Sequence, residues 1–212
     1  MKKIPFAFFT FLLFTGCKKD SNNTDNIPSV TIGSQVWMVK NLDVVTYRNG
    51  DPVPKVTDAV AWGSLTTGAY CYYNNDSATY AATYGKLYNW YAVNDARGLA
   101  PAGWHVPTDT EWVAAGNTLG GRPLAGGPMK EAGTTHWFSP NGQATNSSGF
   151  TALPGGSRPG PFNNLSYFGY WWTASPYSTS EAIYYYLYFD NGYFNGYYMS
   201  KQTGCSVRCV KD

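Results

Sequence analysis

The apolar positions of this chain change period as it runs, and each change marks an element. An apolar run, roughly 4–14, comes first, preceded by Lys2 and Lys3 and followed by the small residues Thr15-Gly16 and then Cys17. Residues 18–28 are polar and turn-forming, the composition of a flexible tether. From Val30, apolar and polar residues alternate on both sides of Gly33-Ser34, which predicts a β-hairpin. A short strand is expected at 68–73. Leu87, Trp90 and Tyr91 share a face at helical spacing, so a short helix is read from Leu87. Thr108 and Glu111 make a capping box that opens the clearest helix, with Asp109 at its positive end and Gly120-Gly121 as its stop. Residues 122–167 carry Gly, Pro, Asn and Ser without apolar period. Such a length is unusual in a compact domain, and Trp137, Phe138, Phe150 and Leu153 suggest an ordered loop region. Alternation then returns at 170–174, 182–189, 193–199 and 205–210, with Asp190-Asn-Gly192 as a hairpin loop. Early strands, two helices, a long loop region and late strands predict an α+β domain.

The opening 16 residues have the plan of a secretory signal: a basic start, a short apolar core and a small-residue cleavage site. The core is about half the ~20 residues that cross a bilayer as a helix. Gly16-Cys17 resembles a bacterial lipobox, although Phe14 stands where Leu is usual. Residues 1–16 are therefore expected to be a signal peptide, Cys17 the lipid-attachment residue, 17–29 a tether, and 30–212 one domain. The expected location is the cell envelope, lipid-anchored in the outer membrane. Two acyl chains on Cys17 would hold stably where one would not.

Charge narrows the partners. Of 15 Lys and Arg, Lys2 and Lys3 belong to the leader, which leaves 13 against 13 Asp and Glu. That balance, with no basic run beyond Lys18-Lys19, lacks the footprint of a nucleic-acid binder. Eight Trp and 18 Tyr with only 13% charged residues give a palette suited to extracellular recognition. On a strand over 182–189, Ile183, Tyr185, Leu187 and Phe189 share one face, and Tyr184, Tyr186 and Tyr188 share the other. With the first set in the core, the second is a tyrosine row, opposed by Tyr193 or Tyr197 beside Asn195. A glycan or a surface protein could dock on such a row. Alternatively, the 122–167 region covers it and makes it core. Trp171-Trp172 point opposite ways, so one is expected in the core and the other near the surface or under the loop.

Three cysteines remain beyond Cys17. Cys205 and Cys209 on one strand face would sit about 13 Å apart, too far to bond each other. Cys71 then pairs with one of them, or all three are free. No Cys-x-x-Cys pair exists, and His105 and His136 lie in unrelated contexts, so no metal or cofactor is expected. Asp109 and Glu111 are explained by capping, and His105 reads as structural. No nucleophile, base and orienting residue fall together, so a non-catalytic domain is expected.

Five collinear motifs carry a resemblance. Residues 33–42 (GSQVWMVKNL), 84–93 (YGKLYNWYAV), 103–112 (GWHVPTDTEW), 149–156 (GFTALPGG) and 204–212 (GCSVRCVKD) resemble the Fibrobacter succinogenes major paralogous domain family. The resemblance implies a C-type-lectin-like fold of short twisted antiparallel strands, two helices and a long ordered loop region. It also implies a distant similarity to the formylglycine-generating (sulfatase-modifying) enzymes. Family members with a cysteine at the position of Cys71 commonly carry one at Cys209, while Cys205 falls where Phe is frequent. The resemblance thus implies a Cys71–Cys209 disulfide, with Cys205 as the alternative partner. An enzyme related to the formylglycine-generating oxidases, with Cys205 and Cys209 binding copper, is the alternative function. The tripeptides of the lectin calcium site are missing, and a fold does not bring its relatives' sites with it.

Overall fold

A computed structural model describes residues 27–212. The expected signal peptide, the expected lipid-attachment residue Cys17 and most of the expected tether lie outside the described residues. The first hairpin forms as expected: β1 (Ser29–Ile32) and β2 (Gln35–Met38) pair antiparallel around Gly33, whose φ of 62° suits a tight turn. Strand β11 (Val210–Lys211) lies between β2 and β5 (Trp104–His105), pairing Val210 with both Trp37 and His105. The resulting order is β1-β2-β11-β5. Late chain thus closes onto early chain. The expected strand over 205–210 is ladder only at its end, since Cys205 makes a single bridge to Tyr88.

Two short helices had no signature in the reading above. Helix α1 (Ala59–Gly63) is capped by Asp58 and α2 (Ser77–Tyr84) by Asp76, each carboxylate accepting a backbone N–H three residues on. Strands β3 (Tyr70–Cys71) and β4 (Leu87–Tyr88) pair. Leu87 is therefore strand, and the helix expected there starts three residues later as α3 (Trp90–Val93), because Asn89 caps it by accepting from Ala92 N–H. Helix α4 (Asp109–Thr118) carries the full capping box of Thr108 and Glu111.

The larger sheet has the order β10-β9-β8-β6-β7. Its long members are β8 (Phe168–Pro176), β9 (Glu181–Tyr188) and β10 (Phe194–Ser200). The short β6 (Gly155–Ser157) and β7 (Asn163–Leu165) come from the 122–167 region, as does α5 (Gly126–Met129). That region is ordered by Trp137 and Phe150, which are buried as expected, and by Lys130, whereas Phe138 is exposed and Leu153 only half-buried. The buried Lys130 ammonium donates to the carbonyls of Gly142, Asn191 and Tyr188 at 2.7, 2.8 and 3.1 Å.

The sheet separates two cores. Trp172 and Ala182 face one, with Tyr88, Trp90, Trp104, Cys205 and Cys209. Trp171, Tyr185, Leu187 and Phe194 face the other, with Trp37, Trp112, Trp137 and Phe150. Both Trp171 and Trp172 are consequently fully buried. The expectation that one of them lies near the surface is corrected: each face of β8 has its own core.

The cysteines also need correction. Cys71, Cys205 and Cys209 are all buried free thiols, and neither Cys71–Cys209 nor Cys71–Cys205 is bonded. Strand parity is the reason. Tyr70 and Tyr88 face the core that holds Cys205 and Cys209, while Cys71 and Leu87 face a third cluster with Trp62 and Tyr73.

Candidate functional site

The even-numbered face of β9 answers the question left open above. Tyr184, Tyr186 and Tyr188 are all half-buried. The 122–167 region does not cover them, because its anchors Ala125, Met129, Trp137, Phe150 and Ala152 pack on the opposite face, against Tyr185 and Leu187. Cross-strand register sets Tyr170 and Asn195 beside Tyr186, and Trp172 and Tyr197 beside Tyr184. Trp172 anchors this end of the face in the core. Beyond it, Phe168, Tyr170, Tyr184, Tyr186 and Tyr197 line a groove of about 350 Å³.

The rings of this groove support one another. Phe168 and Tyr170 stack at 5.4 Å, Phe168 meets Tyr188 at 4.5 Å, and Tyr184 lies 5.8 Å from Tyr170 and 5.9 Å from Tyr186. Spacings of 4.5–7 Å are those of favourable aromatic pairs. Burial pushes the Tyr184 hydroxyl up to about 12 and raises Tyr170 as well. The Tyr170 and Tyr184 hydroxyls are therefore uncharged at neutral pH, and no acidic or basic side chain lines the groove. The Tyr170 hydroxyl accepts a hydrogen bond from Asn164 at 2.9 Å, which fixes one ring edge. Tyr197, 58% exposed, forms the outer wall.

The remaining candidates fall elsewhere. Tyr188 supports Phe168 without lining the groove. Tyr193 is 52% exposed just beyond the β9–β10 turn and lines neither this groove nor the cleft described next, so it is not brought to the row. Asn195 lies on the row's face, and its amide oxygen accepts from Arg122 at 3.3 Å. Thr108 and Glu111 serve α4.

The other face of β9 and β10 forms a second concavity, which the sequence reading missed. A cleft of about 450 Å³ lies between α4 and these strands, reaching from Asp109 and Val113 to Gly196 and Tyr198. Its floor is Tyr185, stacked on Phe194 at 4.6 Å. The Tyr185 hydroxyl donates to Asp109 at 2.9 Å. Tyr177 and Tyr198 stack at 3.8 Å along one side. A signal existed in the alternation that put Tyr185 opposite the row. Its pairing with α4, 76 residues away, had no local trace.

His105, read as structural, bridges two carboxylates: Nδ1 lies 2.7 Å from Asp212 and Nε2 2.8 Å from Glu111. Among the described residues, no group of three or more His, Cys, Asp or Glu side chains is placed to hold a metal ion, and no helix is long and apolar enough to cross a membrane.

The model of the Fibrobacter succinogenes major domain matches residues 30–211, and this chain belongs to that family. No curated protein and no solved structure matches it.

Proposed function

We propose that this protein is a lipid-anchored component of the cell envelope whose single domain recognises a surface glycan through its tyrosine face, without catalysis. The observation that carries the reading is the uncharged aromatic groove on β8, β9 and β10, left open although both faces of the sheet have cores elsewhere. Flat rings with hydroxyl edges suit the apolar faces and hydroxyls of sugars. The leader 1–16 and Cys17 support the anchor. The pairing of β11 with β2 and the order of elements support a C-type-lectin-like fold.

The cysteines favour recognition over thiol-based oxidation. Burial pushes Cys209 up to about 12 and raises Cys205 well above the ordinary thiol range. Reactive thiols are ordinarily lowered and partly exposed.

The test is binding of the full chain, in detergent, to arrayed glycans and surface proteins, beside a Tyr184/Tyr186/Tyr188→Ala variant. Saturable glycan binding that falls at least tenfold in a folded variant is the expected result. Binding to a protein alone would replace the glycan with a surface-assembly partner. A folded chain that binds nothing would sink the recognition reading.

A further inference from the structure

We propose that the cleft between α4 and the β9–β10 hairpin is a second binding site, one that takes a single neutral sugar residue or a disaccharide. The inference rests on the recognition reading above but concerns the opposite face of the sheet. The cleft's volume of about 450 Å³ lies in the lower part of the range found for small-molecule sites, roughly 300–1,000 Å³. It is also the larger of the two concavities described.

The cleft is shaped by close backbone approach. A methyl group added at Gly196 would come 2.9 Å from Tyr185 Cζ, and one at Gly116 would come 2.9 Å from Phe194 Cδ1. The two glycines let the Tyr185 and Phe194 rings lie between helix and strand as a continuous aromatic floor. Val113, 42% exposed, forms an apolar wall on the helix side.

Polar groups ring this floor with both signs of charge. Asp109 offers a carboxylate held in place by the Tyr185 hydroxyl. Its charge is partly compensated by its position in the first turn of α4. Arg122 carries a guanidinium that forms no salt bridge among the described residues and donates only to Asn195. Asn117 adds an exposed amide. A neutral polyol satisfies this set: its hydroxyls donate to Asp109, accept from Arg122, and do either with Asn117. An anion would face Asp109, and a cation would face Arg122. Tyr197 borders both the cleft and the tyrosine groove. One glycan could therefore occupy both, the second contact adding to affinity as an intramolecular event.

The test is calorimetric titration of the full chain in detergent with neutral monosaccharides and disaccharides (hexoses, pentoses, N-acetylhexosamines), a uronic acid and a free amino acid. Expected is saturable binding of at least one neutral monosaccharide or disaccharide. Asp109→Asn should weaken it about tenfold or more, as loss of a charge-assisted hydrogen bond does. Val113→Trp, at an exposed helix position, should fill the cleft and abolish it, while Tyr184→Ala/Tyr186→Ala should leave it within twofold. Failure of every neutral sugar to bind, binding of only the acid or the amino acid, or indifference to Val113→Trp would each overturn the proposal. The two sites fail separately. Polymer binding lost with the tyrosine row, without small-sugar binding, removes the cleft alone. Small-sugar binding without polymer binding removes the tyrosine face alone.

Discussion

Arg208 lies fully buried between β2 and the loop that carries Phe150, with no carboxylate against it among the described residues. Its guanidinium donates to the carbonyls of Met38 and Phe150 at 3.0 and 2.7 Å and to Asn41 Oδ1 at 2.9 Å, and it sits 4.3 Å from the Phe150 ring centre. Burial lowers its pKa to about 9. Arg158 and Lys201 follow the same plan, donating to carbonyls of 56–57 and 178–179 over the rings of Trp62 and Trp90. In a chain with so much irregular backbone, buried cations supply the donors that sheet and helix do not. Arg208→Met should therefore cost about 3 kcal/mol or more, because two buried carbonyls lose their partner. Urea unfolding measures this. Arg208→Lys should recover little, since an ammonium cannot reproduce a planar fork; full recovery would mean that charge alone matters. Alternation along 205–209 correctly placed both cysteines on one face. It also put Arg208 on the opposite, ordinarily wet, side. The covering residue comes from 58 positions earlier, so local pattern could not announce the burial.

The start of α4 joins three elements through His105. Glu111 Oε2 accepts from Thr108 N–H within the capping box, while Oε1 meets His105 on β5, which in turn meets Asp212 beside β11. Burial opposes charge on the ring, but the hydrogen bonds to Glu111 and Asp212 outweigh it and raise the His105 pKa. For Glu111 burial also opposes charge, and the Thr108 and His105 hydrogen bonds outweigh it and lower the pKa. A raised imidazole stabilises fully below its ordinary value of 6.5 and loses that contribution as pH rises through the folded value. A lowered carboxyl stabilises above its ordinary 4.5 and loses its contribution as pH falls through the folded value. The two overlap between these values. His105→Gln should thus cost most near pH 5–6, about 0.5–1 kcal/mol given the ring's solvent screening, and the cost should shrink towards pH 9. Unfolding midpoints across that range check it; a difference that grows with pH would reverse the assignment. The capping box itself was readable because its residues are adjacent. The hairpins were readable for the same reason, with turn residues between alternating runs. Helices α1 and α2 were not, since five and eight residues are too few to show a period. The start of α3 shifted because cross-strand pairing with Cys71 claimed Leu87 before the helix could.

Across the whole molecule, the segment 204–211 is the tie. It exchanges hydrogen bonds with Arg158 through Gly204, with Tyr88 through Cys205, and accepts from Trp172 through Ser206, from Leu42 through Val207 and from Met38 through Cys209. It ends as a strand between the first hairpin and β5. Nothing in 204–212 taken alone specifies those partners; the α+β class was legible from element order, whereas this threading is set by tertiary packing. Removing residues 210–212 takes away the shared ladder partner of Trp37 and His105, the buried Val210 side chain and the Asp212 contact to His105. Loss of the shared ladder pairing and of the buried Val210 side chain costs about a kcal/mol or more each on typical scales, the exposed Asp212 contact less, and a domain holds only about 5–15 kcal/mol in reserve. The truncated chain should therefore lose several kcal/mol and a cooperative urea transition, while Lys211→Ala, at an exposed side chain, should remain within about 0.5 kcal/mol of the parent. A truncated chain that unfolds as cooperatively as the parent would show that the tie is dispensable. If the tie holds, its loss should reach the proposed binding surfaces as well. Trp172 and Trp171 fix β8 to the two cores and accept their order from this segment, with Trp172 N–H bonded to Ser206 and Trp171 bridged to it. The proposed glycan binding should then fall in step with the folded fraction, and a truncated chain that bound glycan after losing its cooperative transition would place the groove outside the tied core.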